Sequence, residues 1–449
     1  MSQTLQEVRH NTFLAPDSAT AKLYAEASRY IPGGSSRVHY HFEPTPIYAR
    51  SASGCHLTDA EGVERLDFLN NMTALIHGHG NPVVKQALID QIERGTAFSE
   101  PAGEEVSLAR LMTERVATLE QIRFGNSGTE SVMLAIKLAR AFTGRSTIAK
   151  FEGFYHGYYD YAQISNGVPG LNLGDERAPA SVSGSGGLAD SVSDDVLVLP
   201  FNDRPAVERL LEMNHQSIAA LILDPLSNKA GFVRPAEGFL QFLREITSAY
   251  GILLIFDEVI SFRISYGGGQ GAYGGSPDLT VYGKIIGGGL PVGAVGGRRD
   301  VMALLDPSLG SPPVASGGTF SANPLTMVAG YAALEQMTPA EFDRIGALGR
   351  RLRDEGNSVI AALGVKAQIT GDGSLFRILF TDEPISDYRS SARQTAASEV
   401  IARLHLNLLD EGVIISKAML GCLSTPMGEE DVDFFVRALE RSLRRAQTG

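Results

Sequence analysis

The most informative part of the chain is Ile252-Leu253-Leu254-Ile255-Phe256-Asp257-Glu258-Val259. Its unbroken run of apolar residues predicts a strand that is buried on both faces of a parallel sheet. Such a strand delivers Asp257 at its carboxyl end, which is where open α/β sheets bind their ligands. The stretch therefore predicts an α/β fold with an acid at its ligand-binding edge.

A lysine follows in the stretch Leu279-Thr280-Val281-Tyr282-Gly283-Lys284-Ile285-Ile286-Gly287-Gly288-Gly289. Lys284 lies there between an apolar, strand-like run and three glycines, where an amine is poorly solvated and suited to bond covalently to an aldehyde. An acid and a lysine at neighbouring strand ends fit pyridoxal phosphate, which needs a lysine for its covalent link and an anion beside its pyridinium nitrogen. Taken alone, Lys284 is more simply explained as a surface lysine in a glycine-rich turn.

Composition narrows the class of protein. The chain has 449 residues, 43% of them hydrophobic, which is enough for two or three structural domains. Its net charge is -12 and no sustained lysine- or arginine-rich run is present, so we expect neither nucleic acid nor an anionic membrane as a partner. A small organic substrate is the better expectation.

The cysteines and the start of the chain bear on its compartment. Cys55 and Cys422 are far apart, which fits a reducing compartment and excludes a CxxC motif. Residues 1–16 lack the apolar core of a secretory signal, and no run of about 18 apolar residues could span a membrane. We therefore expect a cytoplasmic protein.

Three regions are predicted along the chain. Residues 76–330 form a large domain, because helices and apolar strands alternate there as in a mostly parallel sheet covered on both faces. Residues 331–449 form a smaller α+β domain with strands at Ile378-Leu379-Phe380 and Val413-Ile414-Ile415. Residues 1–75 form an N-terminal segment that joins the small domain and the active site.

One long loop interrupts the large domain. Ser165 to Asp190 is dense in Gly, Ser and Pro and has few large apolar residues, which predicts a long mobile loop. The loop is interpreted either as a lid over the active site or as an exposed insertion without a role.

A candidate phosphate site lies in Phe124-Gly125-Asn126-Ser127-Gly128-Thr129-Glu130, which opens a predicted helix. Small residues allow backbone N–H groups to approach a phosphate at the positive end of the helix, and Ser127 and Thr129 add hydroxyl groups. An ordinary helix cap by either hydroxyl explains the same pattern.

Aromatic residues follow another strand in Phe151-Glu152-Gly153-Phe154-Tyr155-His156-Gly157. A ring at this strand end could stack on a flat aromatic cofactor. A core aromatic pair beside a hydrogen-bonded histidine is the alternative. His156 has no Cys or second His at metal-ligand spacing, so no metal is expected.

In combination, these motifs resemble the class III (subgroup II) pyridoxal-phosphate-dependent aminotransferases of fold type I. This resemblance implies a mostly parallel, seven-stranded type of sheet in the large domain. The resemblance is greatest to the branch of glutamate-1-semialdehyde aminomutase and the bacterial β-amino acid (β-phenylalanine) aminotransferases, and it covers nearly the whole chain. The motifs that carry it are Asn126-Ser127-Gly128-Thr129-Glu130, Tyr155-His156-Gly157, Asp257-Glu258-Val259, Gly283-Lys284 and Gly318-Thr319-Phe320-Ser321-Ala322-Asn323-Pro324.

The resemblance implies a role for each matching residue. Lys284 would bind the cofactor covalently and then act as the general base, and Asp257 would keep the pyridine nitrogen protonated. Tyr155 and Val259 would contact the two faces of the ring. The remaining implied cofactor-binding residues are Ser127, Gly128, Thr129, His156, Ser227 and Thr319. Thr319 would come from the other subunit, so a homodimer with shared active sites is implied.

Departures from the family pattern bear on the substrate. Asp224-Pro225-Leu226-Ser227-Asn228 lacks the long amide that most members place near the cofactor's phenolic oxygen, so Ser227 or a water would replace it. Ser416 to Cys422 lacks the acid of the aminomutase branch, and Tyr40 falls where the aminomutase has an arginine. These differences argue against an aminomutase.

Arg37 matches the carboxylate-binding arginine of the β-amino acid aminotransferases, in a similar Pro-Gly-x-x-Ser-Arg context. Tyr40 and His41 would line the same pocket, and Met419 would make its opposite side apolar. A solvated surface arginine is the alternative.

We therefore predict a pyridoxal-phosphate-dependent aminotransferase that moves an amino group from a β-amino acid, with an apolar or aromatic side group, to a 2-oxo acid. Glutamate-1-semialdehyde 2,1-aminomutase and an amine:pyruvate aminotransferase are the alternative enzymes. A protein of the same fold that has lost catalysis and serves as a binding module is an alternative of another class.

Overall fold

The computed structural model describes residues 12–167, 172–393, 396 and 398–448. Its helices are α1 (Ala19–Ala27), α2 (Asn70–Thr73), α3 (Pro82–Arg94), α4 (Gly103–Arg115), α5 (Gly128–Thr143), α6 (Arg204–Asn214), α7 (Phe239–Tyr250), α8 (Gly268–Tyr273), α9 (Arg299–Met302), α10 (Pro324–Gln336), α11 (Pro339–Ala362), α12 (Tyr388–Ala392), α13 (Ser398–Asp410) and α14 (Glu429–Thr448). Its strands are β1 (Ala49–Ser53), β2 (His56–Asp59), β3 (Glu64–Asp67), β4 (Gln121–Gly125), β5 (Thr147–Phe151), β6 (Gly174–Asp175), β7 (Ala178–Pro179), β8 (Val196–Leu199), β9 (Ile218–Leu223), β10 (Leu253–Asp257), β11 (Leu279–Gly283), β12 (Gly293–Gly297), β13 (Gln368–Thr370), β14 (Leu375–Leu379), β15 (Val413–Ile414) and β16 (Leu420–Cys422). Short 3-10 segments include Val38–Tyr40 and Lys284–Gly287.

The described residues form two compact units. The larger unit comprises Val83–Asp343 and Glu383–Arg393, and the smaller comprises Met1–Pro82, Arg344–Asp382 and Gln394–Gly449. The predicted domain boundaries, at residues 76 and 331, remain predictions, because compactness alone does not show that a segment folds independently.

The larger unit is built on a seven-stranded sheet with the order β4-β12-β11-β10-β9-β5-β8. The neighbouring pairs from β11 to β8 are parallel, whereas β12 runs antiparallel to both β11 and β4. The prediction of an α/β fold with a mostly parallel sheet is confirmed. Every residue of β9, β10 and β11 is buried, as expected for strands covered on both faces.

Alternation along β10 shows how its two faces are covered. Leu254 and Phe256 pack into a core cluster that includes residues of α6 and α7. Leu253 and Ile255 pack into a second cluster that includes residues of α5. Because successive side chains of a strand point to opposite faces, one apolar strand supplies both cores.

Helix α5 has local start and stop signals. The Ser127 hydroxyl caps its first turn by accepting a hydrogen bond from the backbone N–H of Glu130, at 3.2 Å. Gly144 ends the helix in the left-handed conformation, with φ 70°. The sequence pattern predicted this start, and the cap positions the glycine and threonine that follow at the positive end of the helix.

The smaller unit holds two sheets, β1-β2-β3-β15 and β13-β14-β16. One core cluster joins side chains of these sheets with side chains of α11, α13 and α14. The strands predicted at residues 378–380 and 413–415 are present as β14 and β15 with shifted bounds.

The predicted loop at residues 165–190 has structure of its own. Strands β6 and β7 pair as a short antiparallel hairpin, and Ile164 forms an isolated bridge with Ser183. Residues 168–171 lie outside the described residues, so the lid interpretation remains a prediction. In the described parts of the chain, no helix combines the length and the apolar character needed to span a membrane.

Candidate active site

The carboxyl ends of β10 and β11 bring the predicted acid and lysine to one edge of the sheet. Asp257 is in register with Val281 of β11, and the backbone N–H of Glu258 donates to the Val281 carbonyl at 2.8 Å. Lys284 follows β11 directly and is half-buried. Its φ of 51° is in the left-handed region, which only a minority of non-glycine residues occupy and which is frequent at functional sites.

Asp257 is paired with a buried histidine. Its Oδ2 lies 2.7 Å from Nδ1 of His156, and neither side chain is more than 7% exposed. The other carboxylate oxygen accepts a hydrogen bond from the backbone N–H of Val259 at 3.2 Å. Burial lowers the pKa of His156, and the Asp257 carboxylate opposes that shift. The pair therefore holds a fixed carboxylate at the end of β10.

Val259 connects three of the predicted motifs. A Cβ placed on Gly128 would lie 3.0 Å from a methyl group of Val259, and one placed on Gly283 would lie 3.3 Å from the other methyl. The start of α5, the turn after β10 and the end of β11 therefore converge on one side chain.

The predicted aromatic motif adjoins the same helix start. A Cβ on Gly157, whose φ is 85°, would approach the Thr129 hydroxyl to 2.4 Å, so glycine allows this close contact. Tyr155, two residues earlier, is 37% exposed, whereas His156 is buried. Burial raises the pKa of Tyr155, so its hydroxyl is protonated at neutral pH.

Two other predicted cofactor contacts lie at different positions in the larger unit. Ser227 is buried in the turn after β9, the neighbour of β10 in the sheet. Thr319 is exposed in the segment before α10. The roles of both residues remain predictions.

A second acid at the sheet edge was not predicted as a site residue. Asp224 directly follows β9, and Leu223 of β9 is in register with Phe256 of β10. Asp224 and Asp257 therefore lie at the carboxyl ends of adjacent strands. Burial and then the charge of Asp257 raise the pKa of Asp224 to about 8. The sequence did contain an indication of this acid, because Asp224 directly follows the continuous apolar run of β9.

Glu258 is a further buried acid beside the site. Burial raises its pKa to about 7, although the backbone N–H groups of Gly269 and Gln270 donate to its carboxylate at 2.6 and 2.9 Å. These bonds tie the turn after β10 to the start of α8.

The predicted substrate residues belong to the smaller unit. Arg37 is exposed, and its guanidinium lies 4.0 Å from the ring centroid of Tyr40. His41 is partly buried, with Nε2 at 3.6 Å from Glu43. Met419 is 1% exposed and packs in the core of the smaller unit, and its substrate contact remains a prediction.

The arrangement fits pyridoxal phosphate. Lys284 directly follows Gly283, and Asp257 lies two residues before Val259, the side chain that contacts both Gly283 and the capped start of α5. Glycines at positions 128 and 157 leave this helix start free of bulky side chains. Among the described residues, the buried Nε2 of His156 has no hydrogen-bond partner, which leaves a polar atom at this edge for a ligand or a water.

Residues 39–423 match the family described as Aminotransferase class-III. The chain belongs to the class III aminotransferases. Pyridoxal phosphate is the cofactor of this family, as predicted. When bound, it supplies an aldehyde that takes up the amino group and a ring that withdraws electrons from the substrate carbon.

This class III aminotransferase is similar to proteins with different named activities. It is 39% identical over 428 residues to a glutamate-1-semialdehyde 2,1-aminomutase of Geobacillus kaustophilus, covering 94% of this chain and 97% of that protein. It is 49% identical to an omega-transaminase from Sphaerobacter thermophilus, with a TM-score of 0.94 and coverage of 98% and 100%. It is 34% identical to a β-phenylalanine aminotransferase from Variovorax paradoxus, with a TM-score of 0.86 and coverage of 96% and 94%. The predicted family, enzyme class and fold type I are thereby confirmed.

Proposed function

We propose that this aminotransferase takes an amino group from a β-amino acid with an apolar or aromatic side group and passes it to a 2-oxo acid in ping-pong half-reactions. The observation that carries the proposal is Arg37, an exposed guanidinium stacked on Tyr40 in the sequence context Pro32-Gly33-Gly34-Ser35-Ser36-Arg37. A guanidinium can grip a carboxylate through two parallel hydrogen bonds. The likeness to the Variovorax paradoxus enzyme supports a donor of this kind.

Lys284 and Asp257 carry the chemistry in this proposal. Lys284 would hold the cofactor covalently, and its Nζ would act as the general base that removes the proton from the donor's carbon. Asp257, which His156 orients, would supply the negative charge that keeps the pyridine nitrogen of the cofactor protonated. One amine thus serves as anchor and as base.

The remaining residues position the cofactor and the donor. Ser127, Gly128 and Thr129 would bind the phosphate at the start of α5, and Tyr155 and Val259 would contact the ring. Ser227 would contact the cofactor near its phenolic oxygen, and Tyr40 and His41 would contact the donor. Thr319 of the partner subunit would complete the phosphate site, in which case the functional unit would be a homodimer.

Glutamate-1-semialdehyde 2,1-aminomutase is the second candidate, because the Geobacillus kaustophilus relative carries that name. The segment from Ser416 to Cys422, with no acid, argues against it. Expression in a tetrapyrrole-requiring strain separates the two, since growth without the tetrapyrrole supplement would favour the aminomutase.

An amine:pyruvate aminotransferase is the third candidate, and the omega-transaminase relative supports it. Such an enzyme does not need a carboxylate on its donor. It would keep its activity toward an amine when Arg37 is replaced.

The deciding experiment is the visible spectrum of the purified enzyme during addition of racemic β-phenylalanine without an acceptor. We expect the band of the Lys284-bound cofactor to bleach as the amino group is transferred.

Arg37→Ala should weaken donor binding about tenfold or more, since a hydrogen bond to a charged group contributes about 1.5–3 kcal/mol. Arg29→Ala is the matched control, because Arg29 is also exposed and lies 5.7 Å from the Tyr30 ring.

The possible results separate the alternatives. A band that β-phenylalanine leaves unchanged but 1-phenylethylamine bleaches would reject the β-amino acid proposal in favour of an amine donor. If Lys284→Ala abolishes the band while the biological activity persists, the protein acts as a binding module and not as an enzyme.

A further inference from the structure

The segment before the Gly78 loop contains a rare backbone conformation. Helix α2 consists of Asn70, Asn71, Met72 and Thr73, and their φ angles are 47°, 53°, 54° and 71°. All four lie in the left-handed region, although none is glycine. Left-handed residues normally occur singly, and strained backbone of this kind persists only where the surroundings enforce it.

The surroundings of α2 do enforce it. The Asp67 carboxylate accepts hydrogen bonds from the backbone N–H groups of Leu69 and Asn70, at 2.8 and 2.9 Å. The Asn70 amide donates to the Cys422 carbonyl at 3.0 Å. These buried bonds fix both the start of the turn and its orientation, so the side chain of the next residue, Asn71, has a defined direction.

Asn71 is aimed at the arginine of the proposed donor site. Its Oδ1 accepts a hydrogen bond from Nη2 of Arg37 at 2.8 Å and one from the Tyr40 hydroxyl at 3.0 Å. The Arg37 guanidinium also contacts the Tyr40 hydroxyl. Because a guanidinium can only donate, the amide must present its oxygen to it.

The charges of the groups that contact Arg37 determine whether it can still attract a carboxylate. Burial raises the pKa of Tyr40, and Arg37 opposes that shift, so the phenol keeps its proton and can donate to Asn71. Asn71 is neutral and therefore orients Arg37 without cancelling its charge. A guanidinium has five N–H donors, so after Nη2 donates to Asn71 and to the Tyr40 hydroxyl, the N–H groups of Nε and Nη1 remain for a carboxylate.

We propose that the left-handed turn Asn70–Thr73 makes Asn71 a positioning residue, which sets Arg37 and Tyr40 to receive the carboxylate of the amino donor. The inference rests on the proposed function, since it specifies how Arg37 would recognise a donor with a carboxylate. It also explains why strained backbone is kept at this position.

Three substitutions at Asn71 distinguish a role in orienting Arg37 from a role in the folding of the turn. Asn71→Gly removes the amide but accepts the left-handed backbone readily. Asn71→Ala removes the amide and keeps the strain, and Asn71→Asp keeps the shape but adds a charge that pairs with Arg37. Asn214→Ala, at the end of α6 in the larger unit, is the matched control.

The measurement uses two readouts on the holoenzyme. Calorimetry gives the affinity for 3-phenylpropanoate, a carboxylate that cannot react. Spectral half-reactions give the ratio of kcat/KM for β-phenylalanine to that for 1-phenylethylamine, which lacks the carboxylate. We expect Asn71→Gly and Asn71→Ala to lower both the affinity and the ratio at least fivefold, mainly through KM, and Asn71→Asp to lower them further.

The outcomes for Asn71 and for the proposed function differ. If the wild-type enzyme binds 3-phenylpropanoate and uses β-phenylalanine but Asn71→Gly behaves like wild type, the positioning role is refuted and the proposed function stands. If the wild-type enzyme itself neither binds the carboxylate nor uses the donor, the proposed function fails first.

Discussion

Lys150 is a buried lysine for which the sequence predicted a position in a strand but no role. It lies in β5, is 1% exposed, and its Nζ donates to the carbonyls of Phe154 and Ile164 at 3.0 and 2.5 Å. These carbonyls flank Tyr155 and His156, so the lysine holds the aromatic segment in place. A neutral amine has two N–H donors, one for each carbonyl. Burial lowers the pKa of Lys150 to about 7, although the charge of Glu152 opposes the shift.

The lowered pKa predicts a dependence of stability on pH. In the unfolded chain a lysine keeps its proton up to about pH 10.5, whereas in the folded protein Lys150 loses it near pH 7. The unfolded state therefore binds more protons between these values, and Lys150 makes the folding free energy more favourable as pH rises through this window. The slope is at most about 1.4 kcal/mol per pH unit.

Urea unfolding of the wild type and Lys150→Met at pH 7.5 and 9.5 tests this prediction. We expect the wild type to gain stability relative to Lys150→Met between the two pH values. Lys22→Met, at an exposed position in α1, should show no such difference from the wild type. Parallel pH dependences for the wild type and Lys150→Met would show that Lys150 does not change its charge in this range.

The sequence predicted some of the functional residues at strand ends and missed others. Asp257 and Lys284 were predicted because each follows an apolar strand and each matches one chemical need of the same cofactor. Asp224 also ends an apolar strand, but no step of the chemistry called for a third group. Lys150 gave no signal, because its role depends on the carbonyls of a loop whose path the sequence does not specify.

Helix α12 shows how a short element can organise a distant loop within the larger unit. The guanidinium of Arg389 pairs with Glu152 through two hydrogen bonds, of 2.7 and 2.9 Å. It also donates to the backbone carbonyls of Leu173, Gly174 and Asp175, at 2.9, 3.0 and 3.2 Å. One side chain thus joins the end of β5 to the hairpin of β6 and β7.

This arrangement predicts that Arg389→Lys loosens the hairpin. An ammonium group cannot reproduce the planar fork that binds both Glu152 oxygens and the carbonyls together. Loss of a hydrogen bond to a charged group costs about 1.5–3 kcal/mol, so amide hydrogen exchange in residues 173–180 should speed up about tenfold or more.

Arg393→Lys provides the matched control on the same segment. Arg393 pairs with Glu176, but both side chains are about two-thirds exposed, so the pair contributes little. Exchange in residues 173–180 should remain close to that of the wild type. Equal exchange in Arg389→Lys and Arg393→Lys would show that Arg389 does not hold the hairpin.

Some helices and strands could be predicted from the sequence and others could not, and the difference has physical reasons. Strands β9, β10 and β11 followed from continuous apolar runs, and α5 from its cap and its apolar spacing. The hairpin at residues 174–179 was predicted as plain loop, because Arg389, more than 200 residues away in sequence, supplies part of its order. Helix α2 could not be predicted, since the hydrogen bonds that Asn70 donates to Asp67 and Cys422 override the preference of its residues for other backbone conformations.

The proposed assembly places part of each active site on a second copy of the chain. Thr319 is exposed, and the nearby segment of residues 315–318 lines a cavity of about 250 Å³ together with Asn126 and Glu130 at the start of α5. A surface of this kind on one subunit can complete the phosphate site of another in a closed two-fold dimer.

Complementation between two inactive variants tests whether Thr319 acts across the dimer. Lys284→Ala removes the base of its own site, and Thr319→Glu places a carboxylate against a bound phosphate, so each homodimer should be inactive. In a mixed dimer, the site with an intact Lys284 would receive an intact Thr319 from its partner. Purified heterodimers should then regain about half of the wild-type activity, because one of two equivalent sites is whole. If Thr319 served its own subunit, both sites of the mixed dimer would carry a defect, and the heterodimer would remain as inactive as its parents.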